Sequence, residues 1–180
     1  LRRDVVKPEI VARVRQEIAR SKRILLTTHQ NPDGDGLGSE MALAAYLKSL
    51  GKETLILNPD GTPERYRFLD PAGEIRCFDD ETGPERVRSC DLVITLDNSS
   101  LHRLGNMEQA VRDSGALSLC VDHHSTTDPF WGLNVIDETA CATGEMVFDL
   151  IRALGGDVDA ASAVALYTAM VTDTGNFRFS

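Results

Sequence analysis

Apolar residues follow two patterns that alternate along the chain, helical spacing in some segments and short unbroken runs in others. The helical spacing predicts helices at 8–20, 38–50, 63–68, 84–89, 105–113, 143–154 and 159–172. The apolar runs predict strands at 24–28, 54–57, 74–78, 91–97 and 117–121, with an edge strand at 133–136. Because strands alternate with helices, we expect an α/β fold with a doubly wound, mainly parallel sheet and helices on both faces.

The composition is that of one globular domain, with 180 residues of which 42% are hydrophobic and 26% charged. There is no run of about 18 apolar residues, so we expect no membrane-spanning segment. The chain starts at Leu1 without a methionine or an apolar leader, so we expect a cytoplasmic piece of a longer gene product. The net charge of −9 disfavours long duplex nucleic acid as a partner, whereas bound cations would still admit small phosphorylated substrates.

The four cysteines show no C-x-x-C spacing; they are Cys77, Cys90, Cys120 and Cys141. They lie mostly in apolar runs, so we expect buried, reduced thiols of a cytoplasmic protein.

Histidines and carboxylates cluster directly after three of the predicted strands. The segments are His29–Gly36, Asp97 and Asp122–His124. In open α/β sheets the ligand site lies at the carboxyl ends of the strands, so these side chains are expected at one edge. Imidazole and carboxylate groups bind divalent ions such as Mn²⁺ and Mg²⁺. The sequence therefore predicts a divalent-metal site at this edge of the sheet.

Other interpretations of the same segments stay open at this point. A dinucleotide-binding loop is disfavoured because Ser39 stands where the third glycine of G-x-G-x-x-G is required. A calcium loop is disfavoured because Ala42 occupies the position of the bidentate glutamate. The first segment is also compatible with a polar turn, Asp97 with a hydrogen-bonded strand end, and Asp173-Thr174-Gly175 with a simple helix end. His102 is expected to be a surface histidine.

Taken together, the motifs resemble those of the DHH phosphoesterase family. They are, in order, His29 with Pro32–Ser39, Asp97, Asp122–His124 and Asp173–Gly175. The similarity is strongest to the branch of oligoribonucleases and 3′-phosphoadenosine 5′-phosphate phosphatases, through P-D-G-D, A-T-G-E and T-D-T-G-N-F-R-F. One departure is Thr127, where many relatives have asparagine.

The resemblance implies roles for individual residues. One metal ion would be held by His29, Asp33 and Asp97. The second would be held by Asp35, Asp97, His123 and Asp173, so that Asp97 bridges two ions. Mn²⁺ is the expected metal, with Mg²⁺ or Co²⁺ as alternatives. The implied catalytic residues are Asp122 and His124, and the implied substrate contacts are Gly36, Gly38, Ser39 and Arg178.

The resemblance also implies an activity, the hydrolysis of phosphate esters in very short RNA or in adenosine 3′,5′-bisphosphate. Alternatives within the family are an inorganic pyrophosphatase, a cyclic-dinucleotide phosphodiesterase and a RecJ-like exonuclease. Residues 1–180 would be a single catalytic domain, and relatives continue into a smaller second domain that this chain lacks. A non-catalytic nucleotide- or metal-binding module is therefore a further alternative. The edge of the sheet offers an interface for a homodimer.

Overall fold

A computed structural model describes residues 7–125 and 128–178 of the chain. Thr127 lies outside these ranges. The strands are β1 (Arg23–Thr27), β2 (Glu53–Asn58), β3 (Ile75–Cys77), β4 (Leu92–Leu96), β5 (Leu117–Asp122) and β6 (Leu133–Ile136). The helices are α1 (Pro8–Arg20), α2 (Gly34–Ser49), α3 (Gly83–Arg88), α4 (Glu108–Arg112), α5 (Thr143–Ala153) and α6 (Ala160–Asp173). Two 3₁₀ segments cover Glu64–Leu69 and Leu101–Met107.

The six strands form one sheet in the order β3-β2-β1-β4-β5-β6, and every pairing is parallel. The chain starts in the middle of the sheet and winds outward in both directions, which confirms the doubly wound α/β fold predicted from the alternation of strands and helices. The predicted edge strand is β6.

Alternate strand residues pack on opposite faces of the sheet. One face carries Ile24, Leu26 and Ile94 in a core shared with α1, α2, α5 and α6. The other face carries Leu25 and Val93 in a core shared with α3, α4 and Leu101–Met107. Both faces are therefore covered, which is the reason the strands are continuous apolar runs instead of alternating ones.

Helix α2 begins at Gly34, four residues before the predicted start at 38. The Asp33 side chain caps the helix by accepting hydrogen bonds from the N–H groups of Asp35 and Gly36. The glycines in the first turn of α2 favour a loop by their intrinsic preference, but close packing of the helix explains them. A Cβ at Gly38 would lie 2.3 Å from the backbone oxygen of Ala165 in α6. The glycines thus allow α2 to approach α6.

Two further expectations differ from the structure. The predicted helix at 105–113 is a 3₁₀ segment followed by the short α4, because Gly105 has a φ of 53° that interrupts a helix. Of the four cysteines, Cys90 and Cys120 are buried as expected, whereas Cys77 and Cys141 are exposed. In the part of the chain that the structure describes, no helix combines the length and the apolar character needed to cross a bilayer.

Candidate metal centre

Three adjacent strands bring the predicted polar residues to one end of the sheet. Thr27 of β1 pairs with Thr95 of β4, and Leu96 of β4 pairs with Val121 of β5. His29, Asp97 and Asp122 continue these paired strands, so they emerge side by side. We call this end of β1, β4 and β5 the carboxyl edge. The predicted convergence at strand ends is therefore found in the fold.

His29, Asp33 and Asp97 form a first group of potential ligands, with one ligand atom from each lying within 4.8 Å of the others. The Nε2 atom of His29 is 3.4 Å from Oδ2 of Asp97, and its Nδ1 atom is 2.7 Å from the carbonyl oxygen of Gln30. A hydrogen bond between Nδ1–H and that carbonyl would leave Nε2 directed at the carboxylates. His29 is 5% exposed, so these contacts are shielded from bulk water.

Asp35, His123 and Asp173 form a second group within the same 4.8 Å limit. The Nε2 atom of His123 is 3.8 Å from Asp35 Oδ2, 3.7 Å from Asp97 Oδ1 and 3.5 Å from Asp173 Oδ2. This nitrogen is buried and has no hydrogen-bond partner among the described residues. A buried nitrogen that faces three carboxylates beyond hydrogen-bonding distance fits a site for a divalent cation between them.

Asp97 touches both groups and has an unusual backbone conformation. Its φ is 56°, a left-handed conformation that aspartate tolerates better than most residues. Its N–H still donates to the carbonyl of Val121 at 3.1 Å, so the strand pairing continues up to this residue. The turn directs one carboxylate oxygen to His29 and the other to His123. That arrangement suits a carboxylate shared by two ions.

The amino end of α5 holds two of these carboxylates, a feature that the sequence reasoning missed. The N–H groups of Thr143 and Gly144 donate to the two oxygens of Asp35, both at 2.8 Å. The hydroxyl of Thr143 donates to Asp97 Oδ1 at 3.2 Å. Free N–H groups at a helix start favour negative charge. The available signal was the A-T-G-E segment before an apolar helix, which had been used only as a family motif.

The ionisation of the cluster reflects crowding of like charges. Burial raises the pKa of Asp35 well above its usual range, and the negative charge of Asp97 raises it further. The two N–H groups of α5 that bind Asp35 lower the pKa but do not cancel the rise. Burial also raises the pKa of Asp173, partly opposed by His123. Burial lowers the pKa of His29, but hydrogen bonding to Asp97 and Gln30 outweighs it and the net shift is upward. Each of these pKa shifts favours the protonated, more positive form of its group, so the cluster favours the binding of positive charge.

Asp122 and His124 form a hydrogen-bonded pair, and together with Asp97 and His123 they make a third group of potential ligands within the same 4.8 Å limit. The Nδ1 atom of His124 donates to Oδ1 of Asp122 at 2.7 Å, and Asp122 is fully buried whereas the His124 side chain is 49% exposed. Hydrogen bonding to Asp122 raises the pKa of His124, against the smaller effect of burial. Burial raises the pKa of Asp122, but the hydrogen bond and charge of His124 reverse this to a net lowering. The pair fixes the ring and leaves Nε2 directed away from Asp122.

The predicted substrate contacts are not brought together in the same way. Gly36, Gly38 and Ser39 are buried within α2, so in this domain they have packing roles and no exposed surface for a phosphate. Arg178 is exposed in the turn after α6, and its side chain has no hydrogen bond or ion pair within residues 7–125 and 128–178. The buried positions of Gly36, Gly38 and Ser39 argue against a direct phosphate contact, whereas the contact predicted for Arg178 stays a prediction. His102 is exposed, as expected for a surface histidine.

Arg103 is a cation near the centre that the sequence reasoning did not single out. Its carbonyl oxygen accepts a 2.8 Å hydrogen bond from the N–H of Gln30, so its segment packs on the His29 loop. Its positive charge disfavours protonation of His29 and His124 and so lowers both pKa values. Other contacts of each histidine outweigh this effect, so the net pKa shift is upward. The residue is half-buried, and its side chain has no hydrogen bond or ion pair among the residues described.

The family assignment follows from this site together with a match over most of the chain. Residues 23–172 match the DHH family, N-terminal domain. That range includes five of the six metal ligands that the resemblance implies and ends one residue before the sixth, Asp173. The chain belongs to the DHH family.

Two similar proteins have the name bifunctional oligoribonuclease and PAP phosphatase NrnA. The one from Thermus thermophilus is 35% identical over 158 residues, covering 87% of this chain and 45% of the relative. The one from Bacillus subtilis is 31% identical over 160 residues, covering 87% of this chain and 47% of the relative. This DHH-family chain thus spans less than half the length of either relative.

Solved structures agree with the architecture. An exopolyphosphatase-related protein from Bacteroides fragilis has a TM-score of 0.95 and 26% identity, covering 99% of this chain and 54% of that chain. A manganese-bound exonuclease RecJ has a TM-score of 0.55 and 20% identity, covering 99% of this chain and 48% of that chain. The second likeness shows the fold alone.

Proposed function

We propose that this DHH-family chain is the metal-binding half of a phosphoesterase that hydrolyses very short RNA, adenosine 3′,5′-bisphosphate or both. The observation that carries the proposal is the pair of adjacent ligand groups at the carboxyl edge. Asp97 of the first group lies between the two imidazoles, 3.4 Å from His29 Nε2 and 3.7 Å from His123 Nε2 of the second group. The NrnA relatives, named for those two activities, support the choice of substrate. Because the chain spans under half of each relative, the activity is proposed for the complete protein.

His29, Asp33 and Asp97 would hold one divalent ion, and Asp35, Asp97, His123 and Asp173 the other. Carboxylate and imidazole ligands suit Mn²⁺, with Mg²⁺ and Co²⁺ as alternatives. Two such ions supply an activated water and neutralise charge on phosphoryl oxygens. The fold holds the four acids and two imidazoles that would bind these ions at fixed positions. Hydrogen bonds from the start of α5 fix Asp35 and Asp97.

The Asp122–His124 pair would act on the substrate. Nδ1 of His124 donates to Asp122, and the raised pKa of His124 favours the protonated ring. The protonated Nε2 would then donate a hydrogen bond to the scissile phosphate or a proton to the leaving oxygen. Asp122 would keep the ring oriented, as a carboxylate does for many catalytic imidazoles. The half-exposed position of His124 beside the buried ligands is suitable for this contact.

Arg103 would contribute positive charge for the phosphate at the same rim. The guanidinium has no ionic partner within the described ranges, and its charge acts on both His29 and His124. An arginine can bind two phosphate oxygens at once. We expect Arg103→Gln to raise KM for a dinucleotide more than it lowers kcat, whereas Arg178→Gln, changing an exposed arginine, serves as the comparison.

The decisive experiment measures Mn²⁺-dependent hydrolysis of a dinucleotide and of adenosine 3′,5′-bisphosphate by the complete protein and by its Asp97→Ala variant. We expect a loss beyond the roughly 100-fold that removal of a supporting group costs, because Asp97 belongs to the first ligand group and also faces His123 of the second at 3.7 Å. Asp113→Asn, which changes an exposed carboxylate on the surface, is the control. Unchanged hydrolysis by Asp97→Ala would refute the proposal.

Pyrophosphate and a cyclic dinucleotide belong in the same assay because the same metal arrangement serves other phosphate substrates. Faster turnover of pyrophosphate than of the dinucleotide would assign a pyrophosphatase instead. Binding of Mn²⁺ without turnover of any of these substrates by the complete protein would assign a non-catalytic binding module.

A further inference from the structure

A second charged region lies on the other half of the sheet, away from the carboxyl edge. A cavity of about 420 Å³ opens beside β2 and is lined by four cations, Arg23, Lys48, Arg76 and Arg86. Glu74 is the acid in its lining, and it forms an ion pair with Lys48. We call this cavity the basic cleft. It concentrates positive charge in a chain whose net charge is −9.

Three arginines reach the basic cleft from three different elements. Arg23 lies two residues before Leu25 on β1, so its side chain points to the same face as Leu25. Arg76 on β3 is the register partner of Leu57, a residue of that same face. Arg86 comes from α3, the helix that covers this face through Val87. The convergence is thus produced by the parallel register and the placement of α3.

None of these three arginines forms a salt bridge or a side-chain hydrogen bond in the described part of the chain, although Arg86 interacts electrostatically with Asp79. Three guanidinium groups around one cavity repel one another, and an anion between them would relieve that repulsion. Arginine also binds phosphate oxygens in pairs.

The wall of the cleft offers further hydrogen-bonding groups. Strand β3 pairs only with residues from Ile56 onward, so the backbone of β2 before Ile56 has a strand on one side only. The hydroxyl of Thr54 is buried at this point and has no hydrogen-bond partner among the residues described. Thr54 pairs with Ile24, so its hydroxyl lies on the face opposite the three arginines, and an oxyanion bound by them would reach only the backbone of this edge.

The basic cleft is separate from the metal centre. Arg23 stands at the start of β1, whereas His29 follows its end, and six residues of strand span roughly 20 Å. The cleft therefore cannot contact a phosphate held at the carboxyl edge. We propose that the basic cleft is a second anion site, which binds the phosphate groups of a small diphosphate independently of the metal ions.

The test titrates inorganic pyrophosphate into the chain in the presence of a metal chelator, so that no cation at the carboxyl edge attracts the probe. We expect saturable binding at one site, weakened roughly tenfold by Arg76→Gln and again by Arg86→Gln, because each removes a charged hydrogen-bond donor. Arg13→Gln, which changes an exposed arginine on α1, should leave binding unchanged. Glu74→Gln should tighten it by removing the acid from the lining.

The absence of saturable binding by the wild type would overturn the proposal. Equal affinity of the wild type, Arg76→Gln and Arg86→Gln would also overturn it, since binding would then lie elsewhere. Adenosine diphosphate titrated in parallel identifies the source of the phosphates: tighter binding than pyrophosphate indicates a nucleotide, and equal binding indicates the diphosphate alone. Because the assay excludes metal and measures no hydrolysis, its outcome is independent of the proposed phosphoesterase activity.

Discussion

Helix α2 buries two carboxyl groups five residues apart, and they have opposite environments. Asp35 and Glu40 are both 0% exposed. Asp35 accepts two backbone N–H groups from α5 and faces Nε2 of His123 at 3.8 Å. Glu40 accepts one hydrogen bond, from the side-chain amide of Asn58 at 2.9 Å, and its second oxygen has no partner among the described residues.

The difference shows that burial of an acid does not by itself mark a metal site. Burial raises the pKa of Glu40 to about 8, partly opposed by the hydrogen bond from Asn58, so this group remains protonated at neutral pH. Burial raises the pKa of Asp35 too, but its neighbours are other acids and an imidazole nitrogen without a partner. An isolated buried acid avoids the cost of a buried charge by keeping its proton. A cluster of acids around a histidine is suited to a cation.

A calorimetric Mn²⁺ titration is the strongest test of the contrast between Asp35 and Glu40. We expect Asp35→Asn to weaken binding by at least about 100-fold, because it removes a charged ligand and a hydrogen-bond acceptor of α5. We expect Glu40→Gln to leave the affinity within about twofold, since a neutral acid is replaced by a neutral amide of the same shape. Equal losses in both variants would show that Glu40 supports the metal centre and that the contrast is wrong.

Much of this contrast was accessible from the sequence. The runs of apolar residues gave the parallel sheet, and the sheet alone implied that His29, Asp97 and Asp122–His124 meet at one edge. Assigning individual residues to each ion required the family resemblance. Their grouping in space agrees with that assignment, and their metal-binding roles stay a prediction until an ion is bound.

Other features depended on distances that a sequence does not contain. The glycines of α2 looked like a phosphate-binding loop, but a Cβ at Gly36 would lie 2.3 Å from the hydroxyl oxygen of Thr28. In the sequence Thr143 is an ordinary helix start, and only the fold shows that Asp35 and Asp97 accept its hydrogen bonds. Glu40 comes directly after Ser39, where the recognised motif ends, and nothing in the sequence indicated its burial. The expectation that a second domain lies outside this chain stays a prediction.

The protonated state of Glu40 predicts a pH dependence of stability. Its pKa is about 8 in the fold against an ordinary value of 4.5, so the folded state keeps a proton that the unfolded state loses. This contribution to the free energy of unfolding is complete below pH 4.5 and declines as the pH rises towards 8. The free energy of unfolding of Glu40→Gln, relative to the wild type, should therefore rise by about 1.4 kcal/mol per pH unit.

Urea denaturation at several pH values measures this difference directly. Between about pH 5 and pH 7.5 the gain of Glu40→Gln over the wild type should reach roughly 3 kcal/mol. Glu53→Gln, which changes an exposed carboxyl on β2, should give a constant difference over the same range. A constant difference for Glu40→Gln as well would mean that Glu40 is ionised in the fold, and the distinction between it and Asp35 would disappear.

A smaller effect is expected from Thr143, which donates hydrogen bonds to Asp97 and Asp35 but not to Glu40. The Thr143 hydroxyl donates to Asp97 Oδ1 at 3.2 Å, while its N–H donates to Asp35. Thr143→Val keeps the shape and the N–H but removes the hydroxyl, so the Asp97 carboxylate loses one hydrogen-bond donor. Groups that orient metal ligands typically contribute tenfold or more to affinity, and we expect Mn²⁺ binding about tenfold weaker.

Thr143→Ser separates this orienting role from packing at the start of α5. Serine restores the hydroxyl but lacks the methyl group, so it should recover wild-type Mn²⁺ affinity even if the unfolding free energy falls. Valine should show the reverse, with weak binding in a stable fold. If serine and valine weaken binding equally, the Thr143 hydroxyl does not orient Asp97, and the anchoring of the cluster on α5 would rest on the two N–H groups that hold Asp35.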